Sequence, residues 1–263
     1  MKNISRKENN NNFFLKKNKS MKAHVNHIIV GVSIIITALV LGKSFKARNQ
    51  NDNTISVTGL GEKEFVSDLI VWSGTFTKKS MNLKEAYADL NQDREFIEKY
   101  LVTKGVNSES IVFSSININK DFDNYYNEDK NINEEIFTGY KLEQTVEIES
   151  SDVDKIENIS RKVSELINSG IEFYSNNPEY FYTKLSVLKI QMISEATKDG
   201  LQRAEKIAEN SGSSLGTLKK ANMGVFQIVA PNSGEDYSWG GSFNTSSKRK
   251  KANITMKLDF QVE

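Results

Sequence analysis

Residues Phe137–Glu149 read FTGYKLEQTVEIE. Tyr140, Leu142, Val146 and Ile148 fall on one side of an extended chain. Lys141, Glu143, Thr145 and Glu147 fall on the other. A period of two with one apolar and one charged side is the pattern of a half-buried strand in an antiparallel sheet. The pattern then changes to period 3.6. Val153, Ile156, Ile159, Val163 and Leu166 make a helical stripe over about Asp152–Asn168, and Gly170 follows as a stop. A strand that feeds a helix and keeps one charged face predicts an α+β layer, not a doubly wound parallel sheet.

Upstream, Asp121–Glu135 (DFDNYYNEDKNINEE) is polar and acidic and reads as a hairpin loop after a strand at Ile111–Asn119. Before it, Asn82 and Glu85 have capping-box spacing, and Leu83, Ala86, Tyr87, Leu90, Ile97 and Leu101 recur helically to a stop at Gly105. Leu69–Thr77 places Ile70, Trp72, Gly74 and Phe76 on one face, and Ile55–Gly59 alternates as a first strand, with the bend expected at Gly61 and the polar stretch near it. Downstream, Ile171–Tyr174 and Tyr180–Thr183 are short strands around Asn177-Pro178. A long helix follows at Leu185–Asn210, lined by Leu185, Leu188, Ile193, Ala196, Gly200, Ala204 and Ile207. Leu218–Ala230 is a strand, Pro231–Lys251 a loop, and Ile254–Val262 a last half-buried strand. The middle of this order is β-α-β-β-α-β, the succession of ferredoxin-like domains, with mostly antiparallel sheets and three helices.

The N-terminus is a different material. Residues 1–24 form a basic Asn/Lys-rich leader expected to be disordered. Residues 25–43 hold the apolar run IIVGVSIIITALVLG from Ile28 to Gly42, with Ile34 and Leu41 well inside it, and predict a signal anchor or signal-peptide helix. Residues 44–53 are a linker, and 54–263 the folded α+β domain. Residues 1–27 carry seven Lys/Arg against one Glu, and Lys43, Lys46 and Arg48 add three cations, so with +1 overall the remainder is −8. The heavier positive charge before the run keeps that side in the cytoplasm. The expectation is therefore a single pass in the inner (cytoplasmic) membrane with the globular domain extracytoplasmic. If the segment is cut, the product is periplasmic or secreted. Translation from Met21 would leave a leader of more usual length.

Chemistry is constrained by what is missing. There is no Cys, and the two His, His24 and His27, precede the apolar run. That removes thiol and imidazole catalysis and Cys- or His-ligated metal from the domain. An acidic domain gives no nucleic-acid surface. Gly59-Leu-Gly61 lacks the remaining glycine and the Gly-Lys-Ser/Thr of a phosphate loop. The Asp121–Asp129 stretch lacks EF-hand spacing. Glu143, Glu147 and Glu149 read as a solvated sheet face, and Ser246–Lys251 (SSKRKK) as a solvated loop or, second, a contact for anionic lipid or a partner. No catalytic, cofactor or metal residue is assigned. A hydrolase using carboxylates alone is the least favoured reading. Tyr237, Trp239 and Phe243, large aromatics among glycines in a long loop, are the candidate interaction residues. They either fold back on the sheet or anchor a partner protomer or membrane.

Ile55-Ser-Val-Thr-Gly59 before an early hairpin, Phe137–Leu142 opening a strand, Arg203–Ala208 before Ser211-Gly212, and the late aromatic loop together resemble the SIMPL-domain family of exported bacterial proteins. The resemblance spans about 54–263. It implies an extracytoplasmic α+β domain with no established enzyme activity, oligomeric assembly, and in some members a stress-defence or surface-antigen label. The expected function is self-assembly or binding of an unknown envelope protein, as a homo-oligomer held to the membrane by its N-terminal helix. The alternative is a module that binds a small ligand or an envelope glycan or peptide in a cleft between layers, with Tyr125, Tyr126, Tyr180 and Tyr182 as stacking groups.

Overall fold

The computed structural model describes residues 29–46, 53–127, 132–234 and 238–262. The leader, Ile28, most of the linker and Tyr237 lie outside these. The order is α1 (Ile29–Lys46), β1 (Thr54–Val66), β2 (Leu69–Ser80), α2 (Leu83–Thr103), β3 (Ile111–Phe113), β4 (Asn117–Asn127), β5 (Ile132–Ser150), α3 (Val153–Lys162), β6 (Phe173–Ser175), β7 (Glu179–Phe181), α4 (Leu185–Asn210), β8 (Leu215–Met223), β9 (Gln227–Val229) and β10 (Arg249–Val262). The fold is α+β with antiparallel sheets and four helices, the first of them apolar.

The described chain divides into two compact units. One comprises 57–127, 132–206, 220–234 and 238–258, and the other 29–46, 53–56, 207–219 and 259–262. The first holds a six-stranded sheet of order β3-β5-β2-β6, with β4 also on β5 and β7 also on β2. Each of these pairs is antiparallel. Helices α2 and α3 pack on β2 and β5. Trp72, Phe76, Leu142, Val146 and Ile148 from the sheet meet Leu90, Ile97 and Leu101 of α2 and Ile156 of α3 in a solvent-free core. The inward set expected from the strand and helix periodicities is therefore largely the one observed. In the second unit, Val262 N–H donates to Asn53 at 3.0 Å and Ser56 Oγ donates to Asp259 at 2.5 Å. The other sheet is four-stranded, of order β1-β10-β8 with β9 also on β10.

Several boundaries differ from the sequence expectation. β1 does not bend at Gly61 but runs unbroken to Val66, and the chain turns at Ser67-Asp68. The glycines serve close approach instead. A Cβ on Gly59 would sit 2.0 Å from the Ala196 carbonyl oxygen, and one on Gly61 would sit 2.5 Å from that of Met192. Leu188, Met192, Ala196, Gly200, Ala204 and Ala208 make the buried line of α4. Ile207, expected in that line, is exposed. Asn82 caps α2 by accepting from Lys84 N–H at 2.9 Å. Glu85 does not return to Asn82 as a capping box requires, because Ser80 Oγ takes both groups, accepting from Asn82 N–H and donating to Glu85. Leu83 and Tyr87 face water, and Asp93 occupies the inner line between Leu90 and Ile97. The second predicted helix is α-helical only to Lys162 and tightens to 3-10 turns over Val163–Ser169, where Val163 and Leu166 stay buried. The strand expected at 218–230 is two strands, β8 and β9.

The largest correction concerns the acidic segment. It is a two-stranded arm, not a loop: β4 continues to Asn127 and β5 begins at Ile132. Phe122 faces Phe137 across the pair, with ring centroids 5.6 Å apart, and Phe137 meets Tyr140 at 5.2 Å. Aromatic and β-branched residues favour the pleated conformation even without a core beneath.

Candidate functional site

The late loop begins at the end of β9. Gln227 is 6% exposed, and its side-chain amide fixes both ends of the turn 238–242. Nε2 donates to the Ser238 carbonyl at 2.7 Å. Oε1 accepts from Ser242 N–H at 2.8 Å and more loosely from Ser238 N–H at 3.4 Å. Gly241 sits at φ +94°, which few residues other than glycine adopt, and its Cβ position lies 2.9 Å from the Phe226 carbonyl oxygen. The turn is thus pinned at its base, and Trp239 at its tip is 98% exposed.

The predicted pair of aromatics separates here. Phe243 returns to the sheet through a parallel bridge to Ile228 and packs near Phe181, with ring centroids 6.4 Å apart. Phe243 keeps 46% of its surface exposed, and Trp239 nearly all of it. Beside it is a cleft of about 630 Å³. Leu60 and Glu62 of β1 line it, along with Val225, Gln227 and Ser238. Asn253 and Thr255 of β10 complete it. Leu60 and Glu62 alternate with the two glycines that face α4, so their side chains are turned to the other side of the strand. Glu62 forms an ion pair with Lys251 at 2.9 Å.

The basic cluster 248–251 is not a solvated loop. Lys248 bridges Asp154 and Glu157 of α3, Arg249 meets Glu64 at 3.1 Å, and Lys251 holds Glu62. Lys250 is fully buried, its Nζ donating to the Asn244 and Ser247 carbonyl oxygens. β10 starts five residues earlier than its apolar alternation suggests, and strand alternation turns Lys250 inward. The cations therefore staple the loop's return into the sheet.

The four tyrosines considered for stacking do not converge on this cleft. Tyr180 is buried in the large core, Tyr182 packs on Phe65 at 4.7 Å, and Tyr125 and Tyr126 lie exposed on the β4–β5 arm. Glu143, Glu147 and Glu149 lie on the side of β5 away from its buried residues. Among the described residues no three of His, Cys, Asp and Glu come together as a metal site. The sequence pointed at Trp239. It could not point at Gln227, whose role is set by partners 11 and 15 residues away.

Asp199 on α4 ties the helix to the strand opposite this surface. Its carboxylate accepts from Leu60 N–H at 2.8 Å and from Arg203 at 2.9 Å. The Leu60 bond above all, then Arg203, holds its pKa below the ordinary carboxylate value.

The helix α1 spans 18 residues with none of it buried, long and apolar enough to be a membrane span or a signal sequence. No curated protein matches the chain. The family model named SIMPL, described as a protein of unknown function, matches residues 55–258. That match covers most of the chain, from the first strand to the last, and the chain belongs to the SIMPL family.

Proposed function

We propose that this protein is a membrane-tethered envelope protein that works by binding, without bond-making, and that the Trp239 turn with its adjoining cleft is the working surface. α1 holds it in the inner membrane and the folded part lies outside the cytoplasm. The observation that carries the reading is a tryptophan 98% exposed on a turn pinned by a buried glutamine. An indole left in water on a mobile loop can be incidental. A turn whose backbone is already fixed is preorganised, so that binding has only the indole's own rotamers left to order. Covering 150–250 Å² of aromatic surface is worth about 4–6 kcal/mol at about 25 cal/mol per Å² before the costs of association. The absence of thiol and imidazole from 54–263 supports action through surface rather than catalysis.

Self-assembly is the second reading, favoured by the same exposed indole. A thermal-shift panel of envelope polymers, small ligands and peptides on the full chain separates the two, run beside Trp239→Ala. A ligand at about 100 times its Kd adds about 2.7 kcal/mol, or a melting shift of about 5–10 °C. A shift in the native chain that vanishes in the variant supports capture. A flat panel, with a multimer that Trp239→Ala dissociates in light scattering, moves the assignment to self-assembly. A flat panel with mass unaffected by the variant removes this surface as the working one.

A further inference from the structure

We infer that the open edge of β5 in the arm, residues 132–137, takes a third strand from another protein: an extended segment in which Lys or Arg alternates with β-branched residues. The inference does not rest on the Trp239 surface and is tested apart from it.

The edge is open because two pairings end at different places. β4 pairs with β5 from Ile132 to Glu143, and β2 pairs with it only from Tyr140 to Ser150. Both partners share Tyr140 to Glu143, so they lie on opposite sides of β5. Beyond Tyr140, toward the tip of the arm, β5 has no strand on the β2 side among the described residues. The six residues 132–137 give about 20 Å of extended backbone there. Natural edges of this kind are blunted by Lys, Pro or a bulge, because their unpaired N–H and C=O groups invite another strand. This stretch has neither Lys nor Pro, and the register shift falls at its base, at Asp121/Phe122. A two-stranded ribbon without a core is marginal in water, and a third strand is what steadies it.

Alternation and charge choose the occupant. Ile132 and Ile136 fall on one face of β5 and stay about half-exposed, while Glu135 and Phe137 fall on the other. Residues 122–127 and 132–138 hold Asp123, Glu134 and Glu135 but no Lys or Arg. Asp123 and Glu135 have no ion-pair partner among the described residues, whereas Asp121 at the base is held by Lys79 at 2.6 Å. The arm of a second copy would bring the same carboxylates, and an anionic lipid surface more negative charge, so both are repelled. A strand with cations on one face and β-branched groups on the other meets Glu135 with the first and the two isoleucines with the second. The outer edge of β4 is the poorer site, since Lys120 stands in it. In such strand addition the backbone ladder supplies affinity and the alternate side chains supply specificity.

The full chain in nonionic detergent is titrated with three labelled peptides of about ten residues. One alternates Lys with Val, one has Glu in place of Lys, and one is the Lys peptide with two central residues changed to Pro, which cannot complete a ladder. The Lys peptide should bind and slow amide hydrogen exchange over 132–138. Its affinity should fall as salt rises from about 0.05 to about 0.5 M. The Glu and Pro peptides should bind at least about tenfold more weakly, and Glu135→Lys should cost the Lys peptide about tenfold. Excising 123–136 through an Asn-Gly turn should remove binding, and Trp239→Ala should leave it unchanged. Glu135 is exposed, so its variant keeps the test decisive even if the excised chain does not fold. Equal binding of the Pro peptide, or slowed exchange elsewhere than 132–138, overturns strand addition at this edge. Equal binding of the Glu peptide overturns the cationic partner. Without peptide, a doubled mass in light scattering that the excision abolishes would make a second copy the occupant, and slowed exchange over 132–138 in phosphatidylglycerol nanodiscs would make it lipid. Either result overturns the proposal.

Discussion

Gly59 and Asp93 are single positions where the sequence is informative only once the packing is known. In the sequence Gly59 closes the first alternating strand and lacks the companions of a phosphate loop. It is where β1 and α4 come closest, with a substituent position 2.0 Å from a backbone oxygen that cannot swing away. Gly59→Ala should therefore cost at or above the top of the usual overpacking range, about 3 kcal/mol, lowering the melting midpoint by about 6–12 °C. Gly234→Ala, with nothing near its Cβ position, is the control and should change little. Similar melting curves for the two variants would refute the close-packing account. Asp93 sits in the inner line of α2, 8% exposed. Its Oδ2 is 3.0 Å from Lys78 Nζ, an ion contact without a well-directed hydrogen bond. Burial raises its pKa, more than the Lys78 contact lowers it. A folded value above the unfolded one means the group's stabilising contribution is complete below the unfolded pKa and is lost as pH rises through the folded one. Asp93→Asn should thus be more stable than the native chain at pH 7, with the difference closing as pH falls toward about 4. Denaturant melts at the two pH values decide it, and a variant less stable at pH 7 would show that Lys78 outweighs burial.

Elements were legible where one face of them is buried. β5 and β2 announce themselves because a core filters their residues into period 2, and the structure places their apolar positions inside, whereas in α4 the small residues Ala196, Gly200 and Ala204 go inside and Ile207 does not. The β4–β5 arm had no such signal. Beyond Leu142 it leaves the core, so both faces meet water and acidic residues are tolerated on each. What holds it is the backbone ladder with the Phe122, Phe137 and Tyr140 rings. The register shift at Asp121/Phe122, where Gly139 takes φ +132°, marks where it leaves the sheet. The candidate site was half legible for a related reason. An aromatic among glycines is visible in one dimension, but the Gln227 clamp and the β1 and β10 residues beside the indole are joined only by the fold. If the arm is peripheral, excising residues 123–136 and joining Phe122 to Phe137 through Asn-Gly, a two-residue hairpin turn, leaves the core intact. The melting midpoint should move by less than about 4 °C, about 1 kcal/mol. A collapse of the cooperative transition would instead make the arm part of the folding unit.

At the scale of the whole molecule the question is how the folded part is attached. α1 is apolar on all sides with no part buried, the profile of a helix that needs lipid or removal. Its 18 residues rise about 27 Å, close to the roughly 30 Å of a bilayer core, and Ile28 directly before it adds one more apolar residue. Seven cations lie among residues 1–27 and three among 43–48. If α1 is a span, this asymmetry predicts its N-terminus in the cytoplasm. At the end of the run, Val40-Leu-Gly42 and Phe45-Lys-Ala47 are both poor cleavage sites. A retained anchor then predicts three linked outcomes. A phosphatase that is active only outside the cytoplasm, fused after Glu263, should be active. The chain should stay with the membrane through an alkaline carbonate wash. N-terminal sequencing should find residues before Ile29 still present. An inactive fusion would reverse the orientation, whereas an active fusion released in soluble form and starting after Gly42 would make α1 a signal peptide and leave the Trp239 surface free to diffuse through the envelope.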